Sequence, residues 1–563
     1  MRACQRLFCL AVVAVVLAPS IRSALAQDTP ILAAMADELA RSTASLRLAG
    51  QPAPYFIEYE IEDRISTRAT ARLGALLEDL HARVRTLRVG VRVGDYDFDS
   101  SLFGAPGAPF QDATMTAPLD EDYDAMRRQI WLATDVAYRR AISLFARKKA
   151  AFQNRAAIEV VPDFSREAPV ETVLTGLPAT RAASDWPERA RQVSAAFSQV
   201  RGLDSSEVSV ADTRGTRYYL NSEGFKVVAP IQIASLRASA EVQASDGMTL
   251  RDAFTIVERN LQDLPPVPEI ASRAREMAEQ LQAQRAAPIG EEYTGPVLLE
   301  GQASAEIVMQ GLVPAMLARR APELAGRGGG RGGRAGGGGD VTPFLRRIGL
   351  RVLSEPFSVS DTPSLREFEG RPVPGAYTVD DYGIRAKDVT LVEKGRLVTL
   401  LAGRAPLRGL LQSSGHTRGG DVQAGVFQLR SADGVPAAEL RRKYLQLLET
   451  QGMPFGYIVR RLSSPGDAPG AGPGAGPMIA QGVKVSPDGR EHVVRGVRLG
   501  AVPPATFRDL LDASREQTLY SARSANTNAV SVIVPNLIFE ELEIQQTRDI
   551  LQRPPVVPSP LGD

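Results

Sequence analysis

Apolar positions along this chain change period several times, and each change predicts an element. Thr29-Pro30 offers a capping hydroxyl and a first-turn proline, and Ile31, Leu32, Met35 and Leu39 follow at helical spacing. PYFIEYEIED, residues 54–63, and VRTLRVGVRV, residues 84–93, alternate and predict strands. Between 122 and 152 the helical period returns through Met126, Ile130, Trp131, Val136, Ile142 and Phe145. Asp185-Trp186-Pro187-Glu188 starts another helix, running to about Phe197. Residues 206–238 read as strands broken by a turn at Asn221-Ser222-Glu223-Gly224, and 250–285 as mostly helical. From Tyr293 onward short strands, glycines and prolines dominate, with helices only near 300–320, 436–450 and 505–515. LIFEELEIQ, near the C-terminus, reads as an edge strand.

Composition then divides the chain. Its first residues carry Arg2 and Arg6, an apolar run from Leu7 to Ala18 and a small-residue Ala24-Leu25-Ala26 site, the pattern of a secretory signal peptide over 1–26. An uncleaved signal anchor is the alternative. The style change places a domain boundary near 286, giving domains at 27–285 and 286–545 and a flexible tail at 546–563. Gly326–Gly339 holds ten glycines in fourteen residues, and Ser464–Pro477 is SPGDAPGAGPGAGP. Neither can build a core, so both read as disordered insertions, near 325–340 and 464–478. Without Arg2, Arg6 and Arg22 the chain has 63 basic against 65 acidic residues. That balance implies neither nucleic acid nor an anionic membrane as partner. No later run reaches the roughly 18 apolar residues of a membrane span.

Little of the usual catalytic chemistry remains. Both cysteines, Cys4 and Cys9, lie in the signal segment, and the histidines are only His81, His416 and His492. HExxH, CxxC, GxSxG and P-loop patterns are absent. His81 follows LGALLEDLHARV and reads as a helix-face or cap residue, and His492 as a strand start after a Pro-Asp-Gly turn. His416, in SSGHTRGG at 413–420, stands among glycines that let backbone approach a ligand, although locally it reads first as a residue of a flexible surface loop. Glu300, Glu306, Asp361, Asp380, Asp381 and Glu393 are candidates for acid–base or hard-metal chemistry, although Asp380-Asp381 before Tyr382-Gly383 reads first as an Asx-type turn. Asn526, Thr527 and Asn528 form a polar knot before the apolar strand Val530–Val534.

GPVLLEGQASAEIVMQGLVPAML at 295–317, the block at 358–409 containing AYTVDDYGIRAKDVTLVEKGRLVTLLAG, SSGHTRGG and VRGVRLG at 494–500 occur in an order that resembles the TldD/PmbA family of metalloprotease-related proteins. The resemblance implies an α+β protein: a mixed α/β N-terminal domain, then a β-rich antiparallel C-terminal domain enclosing a cavity, assembled as a homodimer or a heterodimer with a related TldD-type subunit. It also implies, in active members, an HExxxH helix whose two histidines join a distant cysteine on zinc, with the glutamate as base. Here the corresponding segment reads Glu300-Gly301-Gln302-Ala303-Ser304-Ala305, without histidine. The chain therefore resembles the partner-type subunit that lacks the metal motif, and no cofactor is expected. Zinc enters only if a different carboxylate/histidine site exists around His416. Ser414, Gly415, His416 and Arg418 match the cavity loop and are the substrate-binding candidates, Arg418 for a carboxylate. Glu300, Glu306 and His416 are the candidate catalytic groups. The reading is a periplasmic or secreted protein that binds peptide or protein, or completes the cavity of a protease partner. The alternative is an active peptidase, metal-dependent or carboxylate-based, acting on peptides of the cell envelope.

Overall fold

The computed structural model describes residues 29–103, 112–153, 161–173, 186–321, 342–463, 476–524 and 528–547. The expected signal segment, most of both glycine-rich insertions, the tail from 548, and Asn526 and Thr527 lie outside these residues. Local chemistry sets the first elements where the pattern placed them. Thr29 accepts from the Leu32 amide (3.3 Å) to open α1, Pro30–Ser45. Asp122 accepts from Ala125 N (2.7 Å) to open α2, Tyr123–Phe152. The 54–63 pattern becomes part of a strand, β1, Pro54–Arg72, and the 206–238 segment becomes β5, Ser205–Asn221, and β6, Lys226–Gln243, joined at the expected turn. With β2 (Ala75–Val93), β3 (Ala113–Thr116), β4 (Glu171–Val173) and β7 (Thr249–Glu258), these form a seven-stranded sheet.

Two expectations fail in this region. LGALLEDLHARV lies in a hairpin, not on a helix. Leu73 and Gly74 adopt φ 47° and 85° at its tip, and β2 pairs with β1 along almost its whole length. His81 is an exposed strand residue beside Asp79 (3.1 Å). Its neighbours Leu77 and Leu80 are 56% and 51% exposed, so their helical spacing reports no buried face. Residues 250–285 are also not one helix. β7 turns back on β6 first, and α4, Val267–Arg285, starts only beyond Pro265-Pro266, which cannot extend a strand ladder.

The sheet buries both faces, for different reasons. On one, Ile57, Tyr59 and Ile61 of β1 and Leu87 and Val89 of β2 pack under α1 and α2, while α3 (Trp186–Ala195) and α4 cover β5–β7. The other carries Glu58, Glu60, Glu62, Arg88 and Arg217 and is covered by the C-terminal region. Phe56, Phe164, Tyr219 and Phe225 meet Val379, Tyr382 and Ile384 there.

Residues 293–546 build a larger β-rich region around an eleven-stranded sheet. It is mixed rather than antiparallel. Val426–Gln428 runs parallel to Ser531–Ile533, and Tyr457–Val459 parallel to Val297–Leu299. The strand Ala529–Gln546 takes part in one of these pairings. It is no edge but the centre, pairing antiparallel with Leu510–Arg523 and wedged between Val426–Ser431 and Tyr293–Leu299. It runs against Tyr293–Leu299 and with Val426–Ser431. Residues 505–515, expected as a helix, form a short 3-10 turn at Pro504–Asp509 that passes straight into Leu510–Arg523. Gln302–Ile307 is a single helical segment that widens at Val308–Leu312 and tightens at Val313–Met316, where Pro314 removes a donor. Among the described residues no helix is long and apolar enough to cross a membrane.

Candidate functional site

The two blocks that sequence reading singled out, Asp380–Gly383 and Ser413–Gly420, brace each other. Asp380 Oδ1 accepts from the Tyr382 (3.0 Å) and Ile384 (2.9 Å) amides, the expected Asx turn, while Oδ2 accepts from Thr417 N (3.2 Å). Asp381 N donates to Thr417 O (2.8 Å), and Arg217 of β5 grips Asp381 and the Asp380 carbonyl. Gly415 sits at φ 75°, where an added Cβ would lie 2.4 Å from the Arg385 carbonyl, so both conformation and space demand glycine.

His416 is not in a surface loop; it is completely buried. Its Nδ1 lies 2.9 Å from Ser414 Oγ and 3.0 Å from Ser414 O. Its Nε2 lies 3.9 Å from Asp361 Oδ2 and has no hydrogen-bond partner. A serine, an imidazole and a carboxylate thus stand in a row. The arrangement is unsuited to nucleophilic catalysis. Ser414 Oγ donates to Ala402 O (3.0 Å) and accepts from Ala402 N (2.9 Å), which fixes it in the loop. Burial pushes His416 down to about 4, a weak base at neutral pH. Burial pushes the Asp361 carboxyl up to about 6 although it accepts from the Gly425 and Val426 amides. Arg418 is buried too, donating to Ala424 O (3.3 Å) and Ala529 O (2.9 Å), its guanidinium 4.4 Å over the Tyr377 ring.

The other two candidates lie elsewhere. Glu300 is an ion-pair residue, 3.1 Å from Arg460 Nε. Glu306 accepts from Leu462 N (2.7 Å) and Gln302 Nε2 (2.7 Å). Neither shares a hydrogen bond or ion pair with His416. Between them, Ala303, Ser304 and Ala305 are buried, and Ser304 Oγ donates to Leu299 O (2.8 Å). This donor set offers zinc no imidazole or thiolate, and the one carboxylate facing inward is already engaged by an amide; the residues present do not fit the metal. Among the described residues no group of three or more His, Cys, Asp or Glu side chains could hold a metal ion.

Burial, ahead of the hydrogen bonds that oppose it, pushes Glu306 up to about 7 from its ordinary 4.5. An acid whose folded value is raised loses stability as pH climbs from 4.5 to 7, because the unfolded chain ionises first. Glu306→Gln removes that penalty, keeps one oxygen for Leu462 N and lets the Gln302 amide flip. The variant should be more stable than the parent at pH 8, by on the order of 2 kcal/mol, and should show no gain at pH 4.5. Thermal melts at the two pH values decide it: equal melting at pH 8 would mean that Glu306 carries no ionisation cost.

Sequence reading missed a cleft of about 1010 Å³ where α2 faces Ala318–Arg320, Gly403–Ala405 and Gly420–Val422. Thr417 lines it, whereas Ser414, Gly415, His416 and Arg418 do not. Phe164 at its base carries two guanidinium groups over its ring, Arg92 at 3.9 Å and Arg404 at 3.8 Å. Arg404 is held bidentate by Glu223 (2.6 and 2.9 Å), and Arg92 by Asp99 (3.0 Å). No local signal marks these arginines, because each acquires its role from residues more than a hundred positions away or from an unremarkable loop.

Comparison with known proteins places this architecture. Residues 293–546 match the PmbA/TldA metallopeptidase C-terminal domain family. No curated protein sequence matches the chain. Solved structures share its fold. TldE from Thermococcus kodakarensis, at 14% identity and a TM-score of 0.59, covers 91% of this chain and 99% of its own. A candidate modulator of DNA gyrase from Thermotoga maritima, at 14% identity and 0.56, covers 87% and 96%. Another from Bacteroides thetaiotaomicron, at 12% and 0.56, covers 92% and 98%. At such identities the likeness is one of fold, and it extends over both regions. Residues 293–546, which carry the braced blocks at 380–383 and 413–420, thus belong to the PmbA/TldA metallopeptidase C-terminal domain family, and the fold over both regions is shared with the three solved structures.

Proposed function

We propose that this chain is a non-catalytic, partner-type member of the family, exported to the periplasm or beyond, that binds peptide or protein or completes the cavity of a metal-bearing protease partner. The observation that carries this reading is the segment Gly301–Glu306, where small buried side chains and an amide-bound carboxylate stand in place of metal ligands. A hydrolytic site would need a base within hydrogen-bond reach of a water and a substrate. Here the buried imidazole faces Ser414 and Asp361, and the Asp361 and Glu306 carboxylates face backbone amides. The reading includes domains at 27–285 and 286–545, removal of 1–26, and pairing with a second copy or a related TldD-type chain.

The test is metal content by mass spectrometry on the purified mature protein, with the oligomeric mass recorded on the same sample. The expected result is far less than one metal per chain and the mass of a pair. Near-stoichiometric zinc, retained through dialysis, would overturn the reading and restore the peptidase alternative.

A further inference from the structure

We propose that the cleft beside α2 is a binding site for an acidic polypeptide segment, one that presents carboxylate side chains at a spacing of about three residues. The inference rests on the peptide- or protein-binding reading above and names the chemical class that binds.

Charge matching singles out one wall. Seven arginines line the cleft. Five have carboxylate partners: Arg92 with Asp99, Arg139 with Asp135, Arg319 with Asp421, Arg320 with Asp163 and Arg404 with Glu223. The other two, Arg140 and Arg147, are exposed and have no carboxylate partner among the described residues. Arg140 Nη1 donates to a backbone carbonyl, that of Asp112 (3.1 Å), and the Arg147 guanidinium stands 6.0 Å from the Phe103 ring centroid. The other lining carboxylates, Glu58 and Asp112, pair with Arg88, so the guanidinium groups of the cleft that have no carboxylate partner among the described residues lie on α2.

Helical geometry then sets the spacing. Arg140, Ser143, Leu144 and Arg147 follow the i, i+3, i+4, i+7 order of one helix face, and all four line the cleft. Seven residues of helix separate the two arginine Cα atoms by about 10 Å. In an extended, polyproline-like chain, residues three apart fall on one edge at about 9 Å. Two carboxylates at that interval can each meet a guanidinium in a charge-assisted hydrogen bond. Between the arginines Leu144, with Phe103 and Val91 beside it, gives an apolar strip for intervening side chains. Ser101 Oγ and Thr417 Oγ1, on residues that line the cleft and are more than nine-tenths buried, have no hydrogen-bond partner among the described residues. A volume of about 1010 Å³ suits several residues of peptide better than one small anion.

The experiment is fluorescence anisotropy of labelled hexaglutamate with the full mature chain, set against hexaglutamine and hexalysine, at low salt. Hexaglutamate should bind about tenfold or more tightly than hexaglutamine, and hexalysine should not bind. Arg140→Glu/Arg147→Glu should lose at least that factor. Lys149→Glu, an exposed charge change on α2 away from the cleft, should keep parental affinity. Unchanged melting of both variants shows that they are folded. Equal binding of hexaglutamine overturns the acidic preference and leaves the peptide-binding reading standing. Displacement by inorganic phosphate at equal charge reduces the site to a simple anion site and overturns the proposal. Binding of none of the peptides also overturns it, while the partner-type reading is decided separately by metal content and oligomeric mass.

Discussion

Arg404→Ala is expected to destabilise the protein by roughly 4 kcal/mol, in the range for breaking a buried ion pair by removing one partner. Arg404 is 1% exposed and holds two regions together. Its guanidinium binds Glu223 of the 221–224 turn through both nitrogens, donates to the Ser165 carbonyl and lies 3.8 Å over Phe164. Its own carbonyl accepts from Ser165 N (2.9 Å). Truncation leaves Glu223 in a largely buried position with the Tyr96 hydroxyl (2.8 Å) as its remaining side-chain partner, and empties the space above Phe164. A double-mutant cycle with Glu223→Ala, followed by denaturant unfolding, separates these contributions. The coupling between the two should be about 2 kcal/mol. Additive losses would show that the pair is not a unit and that packing on Phe164 carries the effect.

Asp380→Ala should cost about as much, roughly 4 kcal/mol, since it leaves three backbone N–H groups buried without acceptors at about 1–3 kcal/mol each. Those donors belong to Tyr382, Ile384 and Thr417, so the change frees the turn and the loop that the turn braces. Burial first, and then Asp381, pushes the Asp380 carboxyl up to about 7, so a neutral group is tolerated there. Asp380→Asn, which keeps an oxygen for the Tyr382 and Ile384 amides, should therefore lose far less. Unfolding of the two variants at pH 7, with hydrogen exchange followed at 413–420, provides the check. Equal losses, or slow exchange in Asp380→Ala, would show that the carboxylate does not anchor the loop.

Much of the local structure was legible beforehand. The cap at Thr29, the turn at 221–224 and the Asx turn at Asp380 all follow from chemistry within four residues, which no distant contact needs to supply. The segments that misled share one property: their conformation is set by a pairing strand and not by their own periodicity. The leucines around His81 have helical spacing, yet the partner strand β1 decides their conformation. Ala529–Gln546 has polar flanks like an edge strand, yet neighbours on both sides make it central. The candidate site divides in the same way. The absence of an HExxxH pattern and of any cysteine beyond Cys9 is written in the residue order alone. That His416 is buried and that Glu306 faces an amide are not.

The alternation in PYFIEYEIED shows the difference most directly. Residue order alone determined that Tyr59 and Ile61 share one side of the strand and Glu58, Glu60 and Glu62 the other, because a strand's side chains alternate with period two. Only the tertiary structure decided that the acidic side is also buried. Glu58 is 3% exposed, 2.8 Å from the Tyr219 hydroxyl and 3.3 Å from Arg88, while Glu60 lies 2.9 Å from Arg88. Periodicity records which way a side chain points. What covers it depends on residues brought in from elsewhere in the chain, and a buried charge is stable only once those residues supply its counter-charge.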